Sequence, residues 1–467
     1  MTMSPPPRSM PGTWEPPYGF IWNGLVIGMG PVPGEGIGPV YSGAEQSALV
    51  LGPPRSGKTS ALVVPTVLKA PAAVVSTSTK GDVLDATVRW RRRKGDCFVF
   101  DPTGSARIPD GAFPLRWSPV VGCESFEAAV SMAHALAAAG RPGVRFSEAS
   151  HWVERAEALL APLLHAAATS GRHMGDVCRW VLGHDVREAE AVLTATGAQM
   201  AKVVLSSVWR TEERERSGIF STAAGLLSAY RSDSVLEAAR KPNFDPAQFG
   251  ASADTLYVCA PGHAQERLAP LVVALLEQVR AAVYARRARF PDAAPCVFAL
   301  DEAANIAPLP SLPQMASEGG GQGLLTMACL QDLSQARARW GAEAEGFFSL
   351  FSAKVVLPGI ADARTLELIS ALGGDEKVPV RSVSLPEPEP TILKVMSVLS
   401  GERKPTPQAV VTTSHTWRRR LPVDEVSRGE PGSALVLRAS GIASVLIRPW
   451  WTIPFFRDQV HGTGSFA

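Results

Sequence analysis

The 467-residue chain has no charge of one sign to speak of: 46 Lys and Arg stand against 44 Asp and Glu, a net charge of +2. That balance excludes a histone-like or polybasic protein, while leaving room for a local basic channel. Cysteine is scarce, six residues without a CxxC pair, which excludes a disulfide framework. Cys97, Cys259, Cys296 and Cys329 sit in or beside short apolar runs and read as reduced, buried small hydrophobes of a cytosolic protein. Long apolar runs are missing too. None approaches the ~18–20 residues of a membrane helix; the nearest, Phe20 to Val32, is broken by Asn23 and several glycines. The Pro-rich start (Pro5, Pro6, Pro7, Pro16, Pro17) does not have the form of a signal peptide. A cytoplasmic location is therefore expected, at the membrane only through a partner. The eight histidines show no HExxH or other ligand spacing, and no nucleophile–base triad is legible, which argues against a zinc enzyme or an acyl-transfer hydrolase. Charged residues reach only 19%, and the mean hydropathy is +0.06, so buried subunit interfaces or a membrane-proximal home are expected.

What is present is an alternation of apolar strands and helices. Ser47–Leu51, Ala72–Ser76 and Cys97–Phe100 read as buried strands, separated by helical stretches from Lys58 and from Gly81 to Arg93. All-apolar strands alternating with helices imply a mainly parallel sheet covered on both faces, an α/β fold. From about Ser125 to Arg240 the pattern is almost purely helical. Trp152, Ala156, Leu159, Leu160, Leu163 and Leu164 fall on one helix face, a packed core. Strands return at Thr255–Cys259, Cys296–Leu300, Leu324–Cys329 and Lys354–Leu357, and near 433–437 and 443–447. The expected organisation is an irregular Pro/Gly-rich arm over 1–43 and a nucleotide-binding domain in two parts, 44–124 and 251–467. An all-α insertion, 125–250, separates the parts, and a Pro-rich excursion spans 381–410.

Gly52, Pro53, Pro54, Arg55, Ser56, Gly57, Lys58 and Thr59 fit GxxxxGK[ST] between a strand and a helix, the context this phosphate-binding motif requires. Backbone N–H groups of the loop and of the helix start, through Ser60, bind phosphate oxygens. Lys58 supplies charge to the β- and γ-phosphates, and Thr59 a hydroxyl to Mg²⁺. ATP and Mg²⁺ are the implied cofactors. The strand Cys296–Leu300 ends in Asp301 and Glu302, two carboxylates at the edge of the sheet where ligands bind. Asp301 is assigned to Mg²⁺, directly or through water, and Glu302 to polarising the attacking water. Gln331, at the end of a third strand, is the candidate γ-phosphate sensor, with a capping role as its alternative. Three basic clusters, Arg89–Lys94, Arg286 to Arg289 and Arg418–Arg420, are open to three readings: non-specific DNA contact, anionic lipid contact or a solvated helix face.

These motifs resemble, in order, those of the type IV coupling proteins, hexameric RecA-like P-loop ATPases of conjugative type IV secretion systems. The resemblance is carried by the loop at 52–59 with Val64-Pro65-Thr66, and by Ser78-Thr-Lys80-Gly81-Asp82 with Thr87. Phe100-Asp101-Pro102, Leu300 to Pro310, Glu318 to Gly323, Leu330 to Gln335, Trp340-Gly341, Ser352 to Val356, Leu372-Gly373 and the tail from Arg419 to Trp451 continue it. It covers about residues 44 to 455. It implies a RecA-like motor domain interrupted by an all-α domain that selects cargo, and a homo-hexamer around a central channel. Its implied partners are DNA, the relaxase or relaxosome and the channel ATPases. In such hexamers an arginine from one subunit acts on its neighbour's γ-phosphate; Arg267, Arg337, Arg339 and Arg364 are candidates, and Arg364 is preferred. Two departures stand out. Most members begin with two membrane helices, and none is legible here, so tethering through a separate subunit is expected. The acidic residue usual before the second-motif lysine is absent at Thr77-Ser78-Thr79-Lys80, so its role is either missing or moved to Asp82. The expected activity is ATP-driven DNA or nucleoprotein translocation. The alternative is a nucleotide-dependent platform that docks protein substrates with little motor activity.

Overall fold

Strand β3, Ala48–Leu51, is fully buried and carries only apolar side chains, so it needs hydrogen-bonded neighbours on both sides and helices over both faces. The computed structural model, which describes residues 23–32, 36–138, 148–384 and 410–463, supplies both. A 12-stranded sheet runs β2-β1-β14-β13-β10-β3-β9-β8-β4-β7-β5-β6. The strands from β10 (Ala353–Val356) through β3, β9 (Leu324–Leu330), β8 (Cys296–Leu300), β4 (Val74–Ser78), β7 (Thr255–Cys259) and β5 (Cys97–Phe100) to β6 (Phe113–Pro114) pair parallel. The other edge is antiparallel: β13 (Ser433–Arg438), β14 (Gly441–Leu446), β1 (Val26–Val32) and β2 (Gly36–Tyr41). The mainly parallel α/β architecture is as the strand patterning implies.

One part of the sequence reading is overturned. The arm 1–43 is expected to be mostly irregular, yet β1 and β2 pair antiparallel and extend the sheet. The glycines and prolines of this stretch suppress any alternating period, so the local signal is weak. Leu25, Val26 and Ile27 are nonetheless fully buried in the main core. The part of that arm before residue 23 lies outside the described residues.

Helix α1, Thr59–Lys69, opens with a π-helical turn, Thr59–Val63, and Pro65 falls where the regular α-helix begins. The wider π turn lies where Pro65 interrupts the helical hydrogen-bond ladder. Helix α2 is Asp82–Arg91. Between β6 and β7 the described residues form helices and no strand: α3 (Phe126–Ala138), α4 (Glu148–Thr169), α5 (Met174–Leu182), α6 (Arg187–Ala195), α7 (Gln199–Trp209), α8 (Glu213–Leu226), α9 (Asp233–Arg240) and α10 (Pro246–Phe249). Along α4, Ala156, Leu159, Leu160, Leu163 and Leu164 are each 0% exposed, and the helix packs on α3, α6, α7 and α8. Helix α11, Gln265–Arg289, follows β7 and packs on α3, α10 and β9. Against the sequence reading, the stretch Gly262–Arg289 is long and apolar enough to cross a membrane by length and composition. Since 61% of its apolar window is buried, a core helix accounts for it.

The short helices α12 (Ala303–Ile306), α13 (Leu312–Glu318), α14 (Leu333–Trp340) and α15 (Phe347–Leu350) surround β9 and lead to β10. Residues Ala361–Arg428 form a second compact unit: α16 (Ala363–Gly373), a two-stranded ribbon of β11 (Asp375–Ser384) and β12 (Val410–Arg419), and α17 (Val423–Arg428). The expected excursion 381–410 overlaps this ribbon at its ends, and its middle, 385–409, lies outside the described residues. The chain then returns to the first unit with β13, β14 and α18 (Pro454–His461).

All six cysteines are free and buried. Within the densest basic run, Arg91 is buried and Lys94 half-buried, while Arg89, Arg92 and Arg93 are exposed. Arg91 is 0% exposed and donates to Thr255 Oγ1 and to the carbonyls of Ala70, Ala72 and Ala253. Lys94 donates to the Ala70 carbonyl, and burial, with Arg91 and Lys69 nearby, brings its pKa down to about 6. Arg93 lies over the Trp90 ring at 4.8 Å. Arg91 and Lys94 tie α2 to the loops before β4 and β7, while Arg89, Arg92 and Arg93 stay at the surface.

Candidate nucleotide site

The site begins at the carboxyl end of β3, where the backbone must leave the sheet and turn into α1 within a few residues. Two left-handed positions make this turn, Arg55 (φ 64°) and Gly57 (φ 97°). A glycine takes such a φ freely, whereas Arg55 pays a strain cost that local structure must hold. Lys58 is only 5% exposed, and its ammonium donates to the carbonyls of Gly52 (2.5 Å) and Pro53 (2.9 Å). Thus the charge sits under the loop and holds it closed. Ser56 Oγ, in the same loop, is buried and has no hydrogen-bond partner.

Opposite the loop stands the end of β8. Thr59 Oγ1 donates to Asp301 Oδ2 at 2.5 Å, across 242 residues of sequence. The Asp301 carbonyl accepts from the Thr77 hydroxyl at 2.7 Å, which pins the end of β8 to β4. Asp301 is 6% exposed, and burial, reinforced by the nearby Glu302 and Asp82 carboxylates, raises its pKa to about 6; the Thr59 hydrogen bond and the Lys58 charge work against the rise. Glu302 adopts a left-handed backbone (φ 53°), and its Oε2 accepts from Asn305 Nδ2 at 3.2 Å. Non-glycine residues in that region cost of order 1–3 kcal/mol and cluster at functional sites.

A cavity of about 760 Å³ joins these groups, lined by Pro54 through Ser60, Ser78, Thr79, Lys80, Asp82, Asp85, Asp301 and Glu302. Its other wall is apolar: Val64, Ala86, Val460 and the pair Trp450–Trp451. The volume suits a ligand of nucleotide size. Of the sequence candidates, Gly52 and Pro53 are absent from the lining and serve as acceptors for Lys58. Gln331 follows β9, which lies between β3 and β8, but it does not line this cavity; its backbone N–H donates to Gln335 Oε1. Arg364 lies at the start of α16 in the second unit.

Sequence reasoning gave no site role to Thr77, Asn305, Asp85 or the two tryptophans. Thr77 and Asn305 lie within or beside stretches it singled out, so their polar character beside the carboxylates was an available signal. The tryptophans come from the far end of the chain and carried none. Among the described residues no group of three or more His, Cys, Asp or Glu side chains could hold a metal ion by itself.

The fold and site define a RecA-like P-loop NTPase architecture. TrwB, a bacterial conjugative coupling protein solved without its first 70 residues, superposes with a TM-score of 0.65 over 87% of this chain and 85% of its own, at 18% identity. The family model for conjugative DNA transfer by type IV secretory systems matches residues 24–393, and the chain belongs to that family. Among curated relatives, VirD4 of Rhizobium radiobacter is 23% identical over 380 residues, 76% of this chain and 53% of that protein. TraG of Escherichia coli is 25% identical over 339 residues, 64% of this chain and 50% of that protein. The chain thus spans about half the length of these curated relatives.

Proposed function

We propose that this chain is the ATP-hydrolysing motor that delivers DNA or nucleoprotein to a type IV secretion channel, working as a homo-hexamer at the cytoplasmic face of the membrane. The observation that carries the reading is the meeting of Lys58 and Thr59 with Asp301 and Glu302 around one cavity of nucleotide size. The orphaned Ser56 hydroxyl and the loop-capping ammonium of Lys58 fit a site that takes a triphosphate. TrwB has been solved with ATP and GTP analogues and with ADP and Mg²⁺.

Each residue has a distinct task. The loop from Gly52 to Ser60 presents backbone N–H groups to phosphate oxygens, and Lys58 moves from its own loop carbonyls to the β- and γ-phosphates. Thr59 and Asp301 are oxygen donors suited to Mg²⁺, which binds through few protein ligands and retains water. When bound, Mg²⁺ neutralises charge on the transferring phosphoryl group. Glu302, held by Asn305, orients and deprotonates the attacking water. Arg364 acts on a neighbouring subunit's nucleotide. The all-α segment recruits cargo such as the relaxase, and membrane contact runs through a partner.

The test is the ATPase rate of wild type, Lys58→Ala and Glu302→Gln against protein concentration, with and without single- and double-stranded DNA. The motor reading expects DNA stimulation that grows with assembly and vanishes in both variants. ATPase indifferent to DNA, together with cargo capture by the intact protein, would replace it with the docking-platform reading.

A further inference from the structure

The cavity has two chemically different ends, and the reading above uses only one. The phosphate loop and the carboxylates fill the polar end. The apolar end joins Val64 and Ala86 to residues from the last turns of the chain, which reach the site because β13 and β14 rejoin the sheet before the chain turns at Trp450–Thr452. Trp450 packs partly against the main core, and its ring meets that of His461 at 6.3 Å. Trp451 stands edge-on to Trp450, with centroids 5.5 Å apart and planes at 85°, and is 51% exposed. One indole is thus anchored, and it props a second whose surface stays open where it borders the cavity.

A large half-exposed indole with a buttress, at the apolar end of a pocket whose other end binds phosphate, matches a ligand that is itself bipartite. We propose that Trp451 is the stacking platform for the nucleobase of the bound nucleoside triphosphate, with Trp450 as its support. The proposal rests on the nucleotide reading and adds what that reading leaves open, namely where the base goes and how it is selected. Stacking uses the π-face that every base has, so it adds affinity with little discrimination between bases. The pocket is expected to accept adenine and guanine nucleotides alike.

The test compares binding of MgATP, MgGTP and Mg²⁺-tripolyphosphate to wild type, Trp451→Ala and Trp451→Phe by calorimetry on the full chain. Tripolyphosphate carries the phosphate end of the ligand without a base. The expected result is a loss of about tenfold in affinity for both nucleotides in Trp451→Ala, most of it restored in Trp451→Phe, with tripolyphosphate unchanged throughout. Unchanged tripolyphosphate binding also shows that the variant is folded at the loop. If Trp451→Ala binds nucleotides as wild type does, the stacking role is overturned and the phosphate site stands. If wild type binds neither nucleotide nor tripolyphosphate, the nucleotide reading falls and the stacking role falls with it. A second readout is tryptophan emission: nucleotide, but not tripolyphosphate, is expected to quench it in wild type and to lose most of that effect in Trp451→Phe. Equal quenching in the two proteins would count against Trp451.

Discussion

Replacing Asp301 by Asn removes a buried charge while keeping the shape and the acceptor that Thr59 donates to. In the folded protein the carboxyl titrates at about 6 against an ordinary 3.8, chiefly because it is buried. Two pH units at 1.36 kcal/mol each make the ionised form cost about 3 kcal/mol of stability. The sign follows from proton binding. Between about pH 4 and pH 6 the folded state holds a proton that the unfolded state has released, so wild-type stability falls as pH rises through this window. Below about pH 4 the group is neutral in both states and costs nothing. Asn is neutral throughout. Asp301→Asn is therefore expected to exceed wild type by about 3 kcal/mol at neutral pH and to match it near pH 4. The assay is urea unfolding followed by tryptophan fluorescence across that range, without Mg²⁺ or nucleotide. The same variant is expected to lose its stabilisation by MgATP, since the site's charge serves the ligand rather than the fold. A variant less stable than wild type at neutral pH, or a difference that does not change with pH, would refute the reasoning.

Glu302→Gln is expected to bind MgATP within a few-fold of wild type and to lower the hydrolysis rate by about 10²–10⁴, read by single-turnover kinetics, because it keeps the size and loses the base. Gly320→Ala is expected to cost about 2–3 kcal/mol or prevent folding, read by the denaturant midpoint, because the new Cβ would lie 1.9 Å from the Glu45 carbonyl oxygen. Arg91→Met is expected to destabilise by about 1–3 kcal/mol for each of the Ala72 and Ala253 carbonyls that lose its guanidinium, Ala70 keeping Lys94 as donor, read by thermal melting.

The phosphate loop was legible because its chemistry is local: strand, turn, ammonium and hydroxyl lie within twelve consecutive residues, 48–59. The strands β5, β7 and β8 were legible to the residue, since a strand buried on both faces must be apolar throughout. The glycines of 318–323 were visible as a motif, but their reason was not. Gly320 stands where the backbone passes Glu45, a contact between segments more than 270 residues apart. The strand pair β1–β2 escaped notice because glycine and proline hide its period. Within the basic run 89–94 only Arg91 turns fully inward, which charge in sequence does not reveal.

By itself, then, the order of residues determined the class of the fold, the loop with the phosphate-binding pattern and the two carboxylates that close β8, because each depends on neighbours in the chain. Only the tertiary structure decided that Thr59 meets Asp301, that Arg91 turns inward, that β1 and β2 extend the sheet and that two tryptophans from the chain's end wall the cavity. Those are pairings over hundreds of residues. They are settled by which apolar surfaces can be buried together and which buried polar groups then find partners, and no local window of sequence contains that information.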